Sequence, residues 1–131
     1  MKLKIAMQIL LGFTASWAIA SIAGKENIHH LLLSLPVLGF THELLHLVSL
    51  KLFKLKYKFT LNGFLIGFRA TFVNHTQFAI AATIPQILTL SLALAYLCTS
   101  NTYALALSML HIAISYEDMM KVLKYLVNYL V

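Results

Sequence analysis

Residues 42–46 read His-Glu-Leu-Leu-His. On a helix, residues four apart stack on one face, so His42 and His46 can offer two nitrogens to one metal ion. Glu43, one residue on from His42, is turned aside but can still reach a water on that ion as a general base. The metal brings the pKa of the water towards neutrality, and the glutamate takes the proton as the hydroxide attacks a carbonyl. Two neutral imidazoles plus a carboxylate, with a fourth position left open, favour zinc. The surroundings sharpen this. Glu43 is the only fully charged residue between Glu26 and Lys51, and one of only four acids in the chain. An ionisable group placed in such an apolar stretch is expensive and by default functional.

A third ligand must come from elsewhere. The candidates are Glu117, Asp118, His29, His30, His75 and His111. In "YEDMMKVLKYLVNYLV", Glu117, Lys121, Lys124 and Asn128 recur at steps of four, three and four and define a wet helical face. Glu117 is therefore expected to pair with Lys121, four residues on. Asp118 lines up instead with Val122, Tyr125 and Tyr129, an uncharged face. An acid there needs a partner, which a metal or a tyrosine hydroxyl could supply. It could also belong to a helix start, since Ser115-Tyr116-Glu117-Asp118 fits the S-x-x-D/E capping pattern. His29 and His30 fall at the far end of their helix from His46 and suit an interface. His75 follows the basic loop and lies within possible reach of the site. His111, two turns before Asp118, suits packing better than ligation.

The elements that must carry these residues are membrane helices. The chain of 131 residues is 60% hydrophobic with a mean hydropathy of +0.84, and one domain spanning residues 1–131 is expected. Only ten basic and four acidic side chains are present, far below the roughly 25% charged residues of soluble domains. Residues 5–24 carry no charge, and Ala70 to Tyr116 carry none either. A span needs about 20 apolar residues, which predicts four, near 5–24, 28–50, 77–97 and 103–116, followed by a C-terminal helix over 116–131. Cys98-Thr99-Ser100-Asn101-Thr102 is the polar break between the last two. Nine basic residues lie in or beyond alternate loops against one, Lys25, on the other side. That bias makes the net charge of +6 a topological signal rather than a nucleic-acid footprint, and puts both termini in the cytoplasm. Alternatively, Lys2, Lys4, the apolar run and Ser21-Ile22-Ala23 would suit a signal peptide ending at Ala23.

Between spans two and three, Lys54, Lys56, Lys58 and Thr60 alternate with Leu55, Tyr57, Phe59 and Leu61. This period-two pattern marks a strand, and Asn62-Gly63 is a strong hairpin turn. A hairpin near 54–69 is expected at the cytoplasmic membrane surface, lying on anionic headgroups or offering an edge for an extended substrate. Pro36 and Gly39 before the motif, and Pro85-Gln86 in span three, predict kinks. The expected fold is thus an all-α membrane protein with about four transmembrane helices and one short hairpin.

Together, "HELLH" in a span, a basic hairpin-like loop, "IPQIL" in the next span and the distal "SYEDMM" resemble the family of putative zincin peptidases. These are small multi-pass membrane proteins distantly similar to site-2 proteases. The resemblance covers about residues 28–125. It implies a zinc-dependent intramembrane protease with His42, His46 and Asp118 as zinc ligands and Glu43 as catalytic base. It further implies cleavage of membrane-embedded peptide or protein substrates near the cytoplasmic face of the cell membrane. Two competing readings are a membrane metal- or haem-binding protein without hydrolysis, and an accessory membrane subunit. Glu43 separates the protease from the first of these, because a metal store or electron carrier has no need of a carboxylate beside its first histidine, and about one zinc per chain would exclude the second.

Overall fold

The computed structural model describes residues 2–22, 28–62, 65–72 and 74–130. In chain order the elements are α1 (Lys2–Ile22), α2 (Ile28–Leu52), β1 (Tyr57–Asn62), β2 (Leu65–Ala70), α3 (His75–Thr83), α4 (Gln86–Thr99) and α5 (Thr102–Leu130). The expected cleavage point at Ala23 and the turn glycine Gly63 lie outside the described residues.

Two helical stretches, His29–Leu52 and His75–Thr99, are long and apolar enough to cross a membrane. The first expected span falls on α1, whose apolar part among the described residues, Ala6–Ser21, is shorter than these two. The fourth is the beginning of α5, which continues without interruption to Leu130. Ser115 therefore sits inside a helix and caps nothing. Its hydroxyl bonds to Ile112 O and to Gln86 Oε1, so the capping explanation for Asp118 falls away.

The third expected span is two helices rather than one kinked helix. Asn74 starts α3, its side chain accepting from Gln77 N at 2.8 Å, which meets one of the donors a helix start leaves unpaired. The helix stops before Pro85 and α4 starts at Gln86. Proline lacks the N–H that would continue the ladder, and its ring clashes with the preceding turn.

The hairpin is also shifted, to 57–70 rather than 54–69. Lys54 and Leu55 terminate α2 instead of opening a strand. Lys54 adopts φ 53°, its N–H reaches Lys51 O, and Leu55 N reaches Leu50 O at 2.9 Å. This is the Schellman arrangement, with the left-handed residue just past the helix end. β1 and β2 pair antiparallel, with Phe59 opposite Phe68, Thr60 opposite Gly67 and Lys58 opposite Arg69. Tyr57 and Phe59 both meet the Phe68 ring edge-on, so one face of the ribbon is aromatic and the other carries the basic pair.

The chain forms two compact units. One comprises Met1–Gly39 and Gln86–Tyr116. Its core joins Ala20, Leu31 and Ala106, flanked by Phe13, Ile19, Tyr103 and Leu107. Small residues let helices approach closely, and here Gly12 of α1 meets Ala113 of α5. The second unit comprises Phe40–Pro85 and Glu117–Val131, and it holds HELLH, the hairpin, α3 and the C-terminal part of α5. A β-carbon on Gly12 would overlap the Ala113 methyl. Gly12→Leu is accordingly expected to cost at least ~1–3 kcal/mol by overpacking, read as a lower unfolding midpoint in detergent. An unchanged midpoint would mean that the helices do not pack at Gly12.

Candidate metal centre

His42 and His46 lie one turn apart on α2, with their rings edge-to-face and centroids 4.8 Å apart. His42 is buried and His46 half-buried. Asp118 comes from α5, within the same compact unit. Its Oδ2 lies 3.1 Å from His42 Nε2 and 3.0 Å from His46 Nε2, and the two nitrogens are 3.2 Å apart. The three ligand atoms thus form a nearly equilateral triangle. A tetrahedral zinc with bonds of about 2.0–2.1 Å holds its donors about 3.3–3.4 Å apart, so the triangle needs to open by only a few tenths of an ångström.

The main chain fixes which face of His46 is available. Ile84 N donates to Ile80 O at 3.0 Å, the last such bond in that run. Ala81 O would next be served by the N–H of residue 85, and proline has none. A buried carbonyl left without a partner is costly. His46 Nδ1 lies 3.1 Å from Ala81 O, and because a carbonyl can only accept, Nδ1 carries the proton. In the neutral ring Nε2 then bears a lone pair. That lone pair faces Asp118 Oδ2, another acceptor, and the contact becomes favourable when a proton or a metal ion is shared between them. A metal ion fits this donor set, and a ligating histidine whose other ring nitrogen is held by a carbonyl is the usual way its tautomer is set.

Glu43 is half-buried and lines a cavity of about 240 Å³ with His46, Asp118 and Lys121. Strand β2 passes over it: a β-carbon placed on Gly67 would lie 3.6 Å from Thr60 Oγ1 and 3.9 Å from Glu43 Oε2. Leu50, Phe68, Phe72, Phe78, Ala81 and Ala82 form an apolar wall, with Phe72 and Phe78 packed edge-to-face. Among the described residues, His42, His46 and Asp118 form a group able to hold a metal ion.

The segment 35–130 matches the family model described as "Putative zincin peptidase". The chain belongs to this family. No curated protein and no solved structure matches the chain. The family's description names a zincin-type peptidase and so implies zinc. HELLH, the hairpin, Pro85 and Asp118 all lie inside the matched segment, and α1 lies outside it.

The remaining sequence candidates are elsewhere. His29 and His30 are exposed at the start of α2. His75 opens α3 and stacks on Tyr125, with centroids 5.5 Å apart. His111 is fully buried in the other compact unit, its Nδ1 2.6 Å from Thr89 Oγ1. Lys121 corrects the expected pairing. It donates to Asp118 Oδ1 at 3.0 Å rather than serving Glu117, because residues three apart on a helix meet as readily as residues four apart. Burial alone would push the Asp118 carboxyl up, but the two imidazoles and the Lys121 ammonium outweigh it. They hold the group well below the usual carboxylate range, so it stands ionised, as a ligand must.

Sequence reasoning missed Ala81, Lys121 and Gly67. A proline four residues after a helical alanine is a readable sign of a freed carbonyl, although it does not say which side chain will take it. Restoring the amide with Pro85→Ala would return Ala81 O to its own helix and release His46. Metal affinity is expected to fall about 10–100-fold, as for other outer partners of ligating histidines, measured by competition with a chromophoric chelator. Unchanged affinity would show that the carbonyl does not fix the ring.

Proposed function

We propose that this zincin-family chain is a zinc-dependent intramembrane protease that hydrolyses peptide bonds of membrane-embedded substrates near the cytoplasmic face. The observation that carries this reading is the convergence of His42 and His46, on an apolar helix, with Asp118, where His46 and Asp118 line one cavity together with Glu43. His42, His46 and Asp118 would hold the zinc, leaving a fourth position open. When bound, zinc acts as a Lewis acid and eases deprotonation of water.

The protein's own part is positioning and proton transfer. Glu43 takes the proton from the attacking water, whose oxygen bonds to the carbonyl carbon, and delivers it to the departing amine nitrogen as the C–N bond breaks. The apolar wall of the cavity suits hydrophobic side chains. Strand β2, which contributes Gly67, Phe68 and Ala70 to the lining, suits an extended peptide added alongside it, since backbone bonding of this kind needs no particular substrate sequence. Lys51, Lys54, Lys56 and Lys58 close to the end of α2 are all exposed. Their positions support a cytoplasmic location for the site, a four-span topology and cytoplasmic termini. The bilayer is then the medium, the substrate a membrane peptide or protein, and nucleic acid no partner. Glu43 at the cavity favours hydrolysis over mere metal or haem storage, and bound zinc would exclude an accessory role.

Wild type and Glu43→Gln are expected to hold equal zinc, about one per chain, while cleavage of a helical membrane substrate falls ~10²–10⁴-fold in the variant. His42→Ala is expected to lose the metal. Equal cleavage by Glu43→Gln would remove Glu43 as base, and absence of zinc from wild type would remove the site itself.

A further inference from the structure

The carboxylate of Asp118 has two oxygens with different surroundings. Oδ2 stands against both imidazoles, at 3.1 and 3.0 Å. Oδ1 accepts from Lys121 Nζ at 3.0 Å. Lys121 lies three residues on along α5, so the pair is built within one helix and does not depend on any other element. Its side chain is 54% exposed, yet it lines the same cavity as Glu43 and His46.

We infer that Lys121 is a positioning residue that holds Oδ1 away from the metal, so that Asp118 binds through one oxygen only. This rests on the proposed assignment of His42, His46 and Asp118 as the zinc ligands. A carboxylate free to rotate can offer both oxygens to a cation, and the second would take the position needed for water or substrate. A catalytic zinc site keeps three protein ligands and one open position. A charged donor on Oδ1 biases the choice, because hydrogen bonds between ionised partners are short and strong for their kind. Solvent could also occupy Oδ1, but it exchanges, whereas an ammonium tethered three residues away stays close. Exposed ion pairs add little to folding. Loss of this one should therefore leave the fold in place and change how Asp118 meets the metal, which separates a positioning role from a structural one.

Cobalt(II) in place of zinc reports the difference directly, since four-coordinate cobalt absorbs visible light several-fold more strongly than five-coordinate cobalt. The full-length protein would be loaded with cobalt(II) alone as wild type, Lys121→Met and Lys121→Arg. Wild type is expected to show the intense four-coordinate bands. Lys121→Met, similar in length but without a donor, is expected to lose several-fold in band intensity while still binding cobalt. Lys121→Arg, which keeps a charged donor, is expected to retain the intense bands. A methionine variant with the wild-type spectrum at equal cobalt content overturns the inference and leaves the metal site standing. Loss of intensity in both variants overturns it too, since any change at 121 would then suffice. A wild type that binds no cobalt overturns the ligand assignment itself, and the inference with it.

Discussion

Helix α3 ends in a carbonyl that its own helix cannot use. Pro85 withholds the amide that Ala81 O would have accepted, and His46 Nδ1 takes its place. Much follows from that substitution of a side chain for a backbone donor. It fixes the proton on one nitrogen of His46 and turns the lone pair of the other towards Asp118 and His42. It also ties α2 to α3 by a bond that both sides need, because in an apolar setting neither a carbonyl nor an imidazole N–H can be left to water. The break between α3 and α4 is thus a structural interruption and, in the same atoms, the support for a ligand.

The rest of the site continues this accounting of polar atoms. Asp118 directs one oxygen at the imidazoles and the other at Lys121, so a half-buried carboxylate is engaged on both sides. In the other compact unit, Ser16 and Ser108 are buried hydroxyls that also find partners. Ser16 bonds to Gly12 O, and Ser108 bonds to Thr89 O, as short polar side chains in apolar helices commonly do. At HELLH the lone pair of a neutral His46 and a carboxylate oxygen face one another, a contact that a shared proton or metal ion makes favourable.

Legibility in the sequence tracked the range of the interaction. HELLH is readable because both histidines lie on one helix four residues apart, a spacing that needs no knowledge of the fold. Helical phase separated Asp118 from Glu117 because a face is also a local property. What phase cannot give is a partner: spacing assigns Lys121 to Glu117, and the structure pairs it with Asp118. Local signals also compete. Lys54 and Leu55 fit a strand by alternation, yet they were taken by the cap of α2, since ending a long helix satisfies carbonyls that alternation does not see. Ser115 fitted a helix start, but nothing stopped α5 upstream of it. The interruption at Pro85 was expected as a kink and is a full stop, with a consequence for His46 that only the third dimension reveals.

Gly67 sits over Glu43 with no side chain to present. A rim position of this kind offers neither charge nor shape, so it cannot tell one peptide from another. Discrimination would then fall to the apolar lining of Leu50, Phe68, Phe72 and Phe78, which distinguishes greasy from polar far better than one greasy residue from another. Under the proposed function, such a cleft would be permissive about sequence and demanding about conformation, admitting what can lie extended beside the strand.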